Sequence, residues 1–284
     1  MRTVFLLNNG MEIPALGFGV FMIQDQEVCA QSVCAAIKEG YRLIDTAAIY
    51  LNETGVGKGI KDSVIKREEI FLTTKIWVQD HGYESAKKAI DKSLKRLDVD
   101  YLDMYLIHRP FGDTVGTWKA MEEAVRDGKI KSIGVCNHSV NQLKKILEVA
   151  DINPVVNQLE CHPFFQAHDL RPFLEKQEIS LEAWYPLGHG HKELLSNQAL
   201  KQIAKQHNKS VSQVILRWHF QERFIAIPKS TSLTHIKENI DILDLVLTEE
   251  EMNIIRSMDT GKRIHDNLED DVYGKQIMNF RADI

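Results

Sequence analysis

The sequence predicts an α/β fold in which eight parallel strands close into a (β/α)8 barrel, the TIM barrel. Short apolar runs of strand length alternate with helical segments, and this alternation is typical of parallel strands joined by helical crossovers. The length of 284 residues is common for α/β barrels that form one domain. No linker or composition break divides the chain, so we expect a single domain over residues 1–284. An open doubly wound sheet is the competing architecture.

The N-terminal segment predicts a β-hairpin. Apolar runs at residues 4–7 and 12–16 flank Asn8, Asn9 and Gly10, and Asn-Gly between two such runs is a strong hairpin signal. We expect this hairpin to cover the bottom of the barrel.

The alternating elements follow from residue 15 onward. Gly40 and Gly128 favour the ends of two helices, and the helix at residues 84–97 places alanine, isoleucine and leucine on one face. The predicted barrel strands are residues 15–19, 41–46, 70–76, 101–108, 131–135, 155–159, 179–184 and 224–227. The predicted helices are residues 25–39, 54–65, 84–97, 117–127, 140–149, 167–177, 197–206, 210–221, 233–242 and 249–258.

Composition and charge exclude several classes of function. A formal charge of -5 and a pI near 6.1 disfavour nucleic acid and membrane surfaces as partners, since both select basic patches. No apolar run approaches the roughly 20 residues needed to cross a bilayer, and the N-terminal apolar stretch is too short for a signal peptide. The four cysteines are scattered without the paired spacing of a metal site. They favour a reduced, cytoplasmic protein without a bound metal.

Two glycine clusters resemble nucleotide-binding loops without matching them. At residues 55–59, Lys58 is followed by glycine instead of serine or threonine, and Asn52 stands where a phosphate loop needs its first glycine. The pair Gly17 and Gly19 lacks the third glycine of a dinucleotide-binding fingerprint. We therefore expect close packing and turns at these glycines, and no Rossmann domain.

The strongest functional signal is the position of four polar side chains. Asp45, Lys75 and His108 lie at the ends of three consecutive predicted strands. Tyr50 lies just beyond the first of these strands. Catalytic groups of (β/α)8 barrels lie at the C-terminal ends of the strands. Each residue alone is more readily explained by structure, but four that can act together are hard to explain by packing.

These four residues can form a proton-donating site. A tyrosine titrates at about 10, and the ammonium of Lys75 is expected to lower the phenol pKa while Asp45 orients the lysine. His108 can hydrogen-bond a substrate oxygen. Such a site polarises and protonates a carbonyl group, but no side chain donates hydride, so the chemistry needs an external electron source.

Ordered motifs along nearly the whole chain resemble those of the aldo-keto reductases. The matching segments are GYRLIDTA (40–47), TTKIW (73–77), YLIH (105–108), IGVCN (133–137), VNQ (156–158), EAWYPLG (182–188) and IPKS (227–230). The chain looks most like the compact prokaryotic branch that includes the 2,5-diketo-D-gluconic acid reductases, because no long insertion follows His108. The resemblance implies a (β/α)8 barrel and the NADPH-dependent reduction of aldehydes or ketones to alcohols, with hydride supplied from nicotinamide C4.

The resemblance also implies roles for individual residues. Tyr50 becomes the general acid, tuned by Asp45 and Lys75, and His108 becomes the group that orients the substrate. The implied cofactor-binding residues are Asn137 and Gln158 at the nicotinamide carboxamide, Trp184 on the ring, Lys229 and Ser230 at the adenosine 2′-phosphate, and Glu238 and Asn239 at the adenine. The residues implied to line the substrate pocket are Phe18, Phe21, Trp77 and Arg109. The implied substrates are small carbonyl compounds such as keto-sugar acids or methylglyoxal, and the implied oligomeric state is a monomer.

Three positions depart from the family pattern. Cys136 replaces a serine and bonds more weakly, so Asn137 is expected to carry more of the carboxamide contact. Tyr185 stands where a phosphate-contacting serine is common, and its phenol either substitutes for that serine or points away. His235 replaces an arginine that pairs with the 2′-phosphate, and histidine lacks the bidentate fork. We therefore expect NADPH to be preferred through Lys229 by a smaller margin than usual, with NADH tolerated.

Arg109 stands where tryptophan is frequent in the family. The structural explanation is that its stem packs on the protein and its head reaches solvent. The functional hypothesis is that it recruits anionic substrates such as keto acids, because a guanidinium matches the geometry of a carboxylate.

Two alternatives belong to other functional classes. A nucleotide-sensing binding subunit with slow turnover shares this fold, and such a subunit can retain all four polar side chains, although the complete set favours an enzyme. A metal-dependent barrel hydrolase would need more converging histidine and carboxylate ligands than the sequence offers.

Overall fold

Strands and helices alternate along the chain, as the sequence predicts. The computed structural model describes residues 4–265, 276–278 and 280. Its strands are β1 (Val4–Leu6), β2 (Glu12–Pro14), β3 (Phe18–Gly19), β4 (Leu43–Asp45), β5 (Phe71–Ile76), β6 (Leu102–Ile107), β7 (Ile130–Cys136), β8 (Val156–Glu160), β9 (Ser180–Trp184) and β10 (Ile225–Ala226). Its helices are α1 (Gln26–Lys38), α2 (Glu53–Asp62), α3 (Tyr83–Leu97), α4 (Thr114–Arg126), α5 (Val140–Leu147), α6 (Arg171–Lys176), α7 (Lys192–Leu195), α8 (Gln198–Gln206), α9 (Val211–Gln221), α10 (Leu233–Ile240) and α11 (Glu249–Arg256).

The strands β3 to β10 form a closed ring in the described part of the chain. They pair in sequence order, and each pair is parallel. The ring closes where Leu16 pairs in parallel with Ala226 and the Gly17 N–H donates to the Ala226 carbonyl at 2.8 Å. The predicted barrel is confirmed, and the open doubly wound sheet is wrong.

The N-terminal hairpin covers the N-terminal end of the barrel. β1 and β2 pair antiparallel, with Phe5 opposite Ile13. Both side chains are buried in one cluster with residues from the starts of the barrel strands, among them Leu43 and Phe71. The predicted cover is therefore confirmed, and the opposite end of the barrel, where the strands end, is the end that can hold a site.

Two helices begin three or four residues away from their predicted first residue, each for a local reason. α4 begins at residue 114 instead of 117 because the Asp113 carboxylate caps it, accepting from the Gly116 N–H at 2.8 Å. α6 begins at residue 171 instead of 167 because Ala167 has a φ of 51°. That left-handed conformation does not fit into a right-handed helix.

The glycines of α2 serve helix packing. A Cβ added at Gly57 would lie 2.1 Å from the Leu97 carbonyl oxygen, and one at Gly55 would lie 2.6 Å from the Gln26 carbonyl oxygen. No side chain fits in that space, so the close packing predicted for this cluster is confirmed.

Candidate active site

A cavity of about 810 Å³ opens at the C-terminal ends of the barrel strands. Most residues that the sequence assigns to the site line it. They are Phe21, Asp45, Tyr50, Trp77, His108, Arg109, Asn137, Gln158, Trp184, Lys229, Ser230, His235, Glu238 and Asn239. The barrel topology thus brings the predicted catalytic and cofactor-binding residues to one place.

A buried ion pair lies behind the cavity wall. Lys75 is fully buried, and its Nζ donates to Asp45 Oδ1 at 2.6 Å and to the Thr46 carbonyl at 2.8 Å. Burial is the largest single influence and lowers the pKa of Lys75, but the charge of Asp45, its hydrogen bond and the other neighbouring groups together outweigh burial, so the pKa lies above its ordinary value. Lys75 is therefore a fixed cation at neutral pH.

Tyr50 lies between this ion pair and the cavity. The Lys75 Nζ is 5.3 Å from the centroid of the Tyr50 ring. Burial raises the pKa of Tyr50 to about 12, although the charge of Lys75 acts in the opposite direction. The charge of Lys75 thus acts in the predicted direction, but burial outweighs it, so the pKa of Tyr50 lies above its ordinary value and not below it. The phenol stays protonated at neutral pH and can donate a proton.

His108 faces Tyr50 at the cavity wall. The two ring centroids are 5.6 Å apart and the rings are nearly perpendicular, and Trp77 packs on the same imidazole with centroids 5.2 Å apart. Burial, and then the charges of Arg109 and Lys75, hold the pKa of His108 well below its ordinary value. The imidazole is therefore neutral, and a neutral imidazole can donate a hydrogen bond to a carbonyl oxygen.

Two carboxyl groups hold the amide of Gln158. Its Nε2 donates to Asp45 Oδ2 at 2.9 Å and to Glu182 Oε2 at 3.1 Å. An amide nitrogen has two hydrogens, and both are used here. Gln158 therefore has its oxygen left to accept a hydrogen bond from a ligand.

Glu182 in β9 is fully buried beside Gln158, and no role was predicted for it. Burial raises its pKa to about 8, and the charge of Asp45 acts in the same direction. A carboxyl residue inside an apolar strand was the signal in the sequence, since such residues are rarely buried without a purpose.

Glu182→Gln is expected to stabilise the protein most at alkaline pH. Burial raises the pKa of Glu182 from 4.5 to about 8, so the unfolded chain loses this proton at lower pH than the folded protein does. Stability contributed by this group therefore falls as the pH rises between those values, and glutamine removes the loss. Thermal unfolding at about pH 5 and about pH 9 checks this: the gain in Tm over the wild type should be larger at the higher pH. An equal gain at both pH values would contradict it.

Asn137 and Trp184 fix each other at the cavity wall. The Trp184 Nε1 donates to Asn137 Oδ1 at 2.9 Å. Asn137 has a φ of 58°, a left-handed conformation that asparagine tolerates. Cys136 is buried, and its Sγ lies 3.9 Å from Gln158 Oε1, so its contact with the amide is weak.

Tyr185 also lines the cavity, so this departure from the family pattern does not point away from the site. Its ring stacks on His189 with centroids 4.6 Å apart and packs edge-on against Trp184 at 4.7 Å. Its φ of 53° is unusual for an aromatic residue. Strained residues of this kind cluster at functional sites.

The far end of the cavity is lined by the residues predicted to meet the adenosine phosphate and the adenine. Lys229 and Ser230 follow β10, and the Lys229 side chain is exposed. His235 and Glu238 are three residues apart on α10, a spacing that places both on one helix face.

Phe18 does not line the cavity, and its assignment to the substrate pocket is corrected. Its side chain is 1% exposed in the core, and its ring packs edge-on against Tyr41 with centroids 5.7 Å apart. Side chains alternate along a strand. Gly19 lines the cavity, so its neighbour Phe18 points the opposite way, into the core between the strands and the helices.

A buried carboxylate that was not predicted fastens residues 263–265 beside the cavity. Glu160 Oε1 accepts from the backbone N–H groups of Ile264 at 2.6 Å and His265 at 3.1 Å. The His265 ring packs edge-on against Trp184 with centroids 5.5 Å apart. Glu160 thereby joins the C-terminal part of the chain to the wall of the site.

The residues that the structure describes show neither a membrane-spanning helix nor a metal-binding cluster. Within residues 4–265, 276–278 and 280, no helix combines the length and apolar character that crossing a bilayer requires. Nor do those residues contain a group of three or more His, Cys, Asp or Glu side chains placed to hold a metal ion. The four cysteines are free thiols.

Proteins of known family resemble this chain over most of its length. The model of the Aldo/keto reductase family matches residues 15–260. The chain is 49% identical over 268 residues to the glyoxal reductase of Bacillus subtilis (strain 168), covering 94% of this chain and 96% of that protein. It is 39% identical over 265 residues to a methylglyoxal reductase of Escherichia coli (strain K12), covering 92% and 95%. A Bombyx mori aldo-keto reductase solved in complex with NADP superposes with a TM-score of 0.89 at 33% identity, covering 93% of this chain and 95% of that one. The chain therefore belongs to the aldo/keto reductase family, a family of NAD(P)H-dependent oxidoreductases.

Proposed function

We propose that the protein reduces small aldehydes and ketones to alcohols with NADPH as the reductant. One observation carries the proposal: Tyr50, His108 and the predicted cofactor-binding residues line one cavity, with the Lys75 ammonium directly behind the phenol. The names of two relatives, a glyoxal reductase and a methylglyoxal reductase, support small carbonyl compounds as substrates.

The residues at the cavity wall fit a nicotinamide nucleotide. Gln158 has an amide oxygen left to accept from a carboxamide, because both of its N–H groups are bound by carboxyl groups. The Trp184 indole is held by Asn137 and offers a flat surface for a ring. The exposed ammonium of Lys229 can meet a phosphate. When bound, the cofactor supplies hydride from nicotinamide C4 to the carbonyl carbon.

The chain's own residues supply the proton for the carbonyl oxygen and stabilise the negative charge that develops. His108, as a neutral imidazole, hydrogen-bonds the carbonyl oxygen and orients it toward Tyr50. The Tyr50 hydroxyl gives its proton to that oxygen as negative charge develops on it. Lys75, held by Asp45, stabilises the phenolate that remains. Fixed charges of this kind lower the barrier because they need no reorganisation during the reaction.

A panel of carbonyl compounds tests the proposal. NADPH consumption is followed with glyoxal, methylglyoxal, diketo acids and aromatic aldehydes, and the alcohol product is identified. We expect oxidation of NADPH coupled to alcohol formation with members of the panel. Binding of NADPH without turnover of any carbonyl would contradict the proposal and favour a nucleotide-sensing subunit.

His235→Arg is expected to widen the preference for NADPH over NADH by roughly tenfold, the range of a hydrogen bond to a charged group. Arginine adds a permanent charge and a bidentate fork for the 2′-phosphate that NADH lacks. Fluorescence titration gives Kd for both nucleotides in the wild type and the variant. Equal affinities for NADPH and NADH in the wild type would refute the proposed preference, and an unchanged ratio in the variant would refute the role of position 235.

A further inference from the structure

We propose that Arg109 forms an anion subsite, so that the preferred substrates are carbonyl compounds that carry a carboxylate. The inference rests on the proposed carbonyl reduction and adds the chemical class of the substrate. It replaces the simpler explanation in which the arginine stem packs on the protein and the head is solvated.

The guanidinium lies close to the groups proposed to act on the carbonyl. Arg109 directly follows His108 at the end of β6 and lines the cavity. The guanidinium shares this cavity with Tyr50 and His108. Burial is the largest influence on the pKa of both groups, and the positive charge of Arg109 favours the deprotonated form of each. A carbonyl oxygen held by those two residues therefore has a cation beside it.

Among the residues that the structure describes, this cation has no carboxylate counterion. The Arg109 Nε is buried and has no hydrogen-bond partner among the described residues. Arg109 is also absent from the ion pairs found in residues 4–265, 276–278 and 280. Arginines that do pair with a carboxylate there include Arg67, Arg96, Arg126, Arg171, Arg256 and Arg263.

An unpaired guanidinium with a desolvated nitrogen is a costly arrangement. A buried donor without an acceptor loses its hydration without compensation. A ligand carboxylate can offset this loss, since its two oxygens match two parallel N–H groups of the guanidinium. Such a site also discriminates strongly, because a neutral analogue leaves the donors unpaired.

The position of Arg109 in the barrel separates it from the predicted phosphate site. β6 and β10 lie on opposite sides of the ring of eight described strands, since the strands pair in sequence order and β3 closes on β10. Lys229 and Ser230 follow β10 and line the far end of the cavity. The anion at Arg109 therefore comes from the substrate and not from the adenosine 2′-phosphate.

Matched pairs of substrates test the subsite. The 2-, 3- and 4-carboxybenzaldehydes are compared with their neutral methyl esters, so that each pair shares a carbonyl and a skeleton. The measured quantity is the ratio of kcat/KM for the acid to kcat/KM for the ester. Because it is a ratio within one preparation, a partial loss of folded enzyme cancels.

Three variants are compared with the wild type. Arg109→Gln removes the charge at similar length, Arg109→Lys keeps the charge without the fork, and Lys145→Gln makes the same change of net charge at an exposed position on α5. We expect Arg109→Gln to lower the ratio by about tenfold or more for at least one isomer, which is the range of a charged hydrogen bond. The ratio for Arg109→Lys should lie between those of the wild type and Arg109→Gln. The ratio for Lys145→Gln should equal that of the wild type.

The outcomes separate this inference from the proposed function. If the wild type reduces the esters but Arg109→Gln leaves the acid-to-ester ratio unchanged for all three isomers, the subsite is overturned and the proposed function stands. An equal fall of the ratio in Lys145→Gln also overturns it, because the effect would then come from the overall charge. If neither acids nor esters are reduced by the wild type, the proposed function fails and this inference fails with it.

Discussion

Tyr50→Phe is expected to lower kcat for carbonyl reduction by roughly 10²- to 10⁴-fold, the range of a positioned general acid. The substitution removes only the hydroxyl. The ring contacts with Phe21 and His108, at centroid distances of 5.0 Å and 5.6 Å, can remain. Folding and the affinity for NADPH should therefore stay close to those of the wild type.

For Tyr50→Phe, steady-state kinetics with methylglyoxal measure kcat, and a fluorescence titration measures the affinity for NADPH. The matched control is Tyr83→Phe, which removes a hydroxyl from a tyrosine on α3 that is 39% exposed. Its kcat should equal that of the wild type. Undiminished turnover in Tyr50→Phe would exclude the phenol as the proton donor.

Lys75→Met is expected to destabilise the protein by about 3–5 kcal/mol and to remove most of the activity. Lys75 is fully buried, and without it the Asp45 carboxylate keeps only the hydrogen bond from Gln158 at 2.9 Å. A buried charge without its counterion costs more than the pair itself contributes. The phenolate formed at Tyr50 would also lose the cation that stabilises it.

The double variant Lys75→Met/Asp45→Asn separates these two effects. Removing both charges should restore much of the stability, because no charge is then left buried without a counterion. Activity should remain low, since Tyr50 still lacks its ammonium neighbour. Urea unfolding at neutral pH and kcat are measured side by side. A double variant as active as the wild type would show that the ion pair is structural only.

The alternation of strands and helices makes the end of the barrel predictable from the sequence. Parallel strands joined by helices all end at one face, so residues that follow different strands must meet there. That rule predicts from the sequence alone that Asp45, Lys75 and His108 lie close together. Asn137 and Trp184 follow the same rule, and in the structure they are joined by a hydrogen bond of 2.9 Å.

Other features depend on packing that no local pattern encodes. The side of the sheet to which the Phe18 side chain points depends on the register of β3, a strand of only two residues. The pKa of Tyr50 depends on how deeply the ring is buried, which the sequence spacing of Lys75 does not reveal. Glu160 acts on backbone N–H groups more than 100 residues away in the chain, and a contact at that separation has no sequence signature.

The transfer of a label from NADPH to the product tests the central claim most directly. NADPH carrying deuterium at both C4 positions is incubated with the enzyme and methylglyoxal, and the product is analysed by mass spectrometry and proton NMR. The predicted result is one deuterium on the carbinol carbon of the alcohol for each NADPH oxidised. Alcohol without deuterium, or oxidation of NADPH without alcohol, would contradict the assignment of the protein as a nicotinamide-dependent carbonyl reductase.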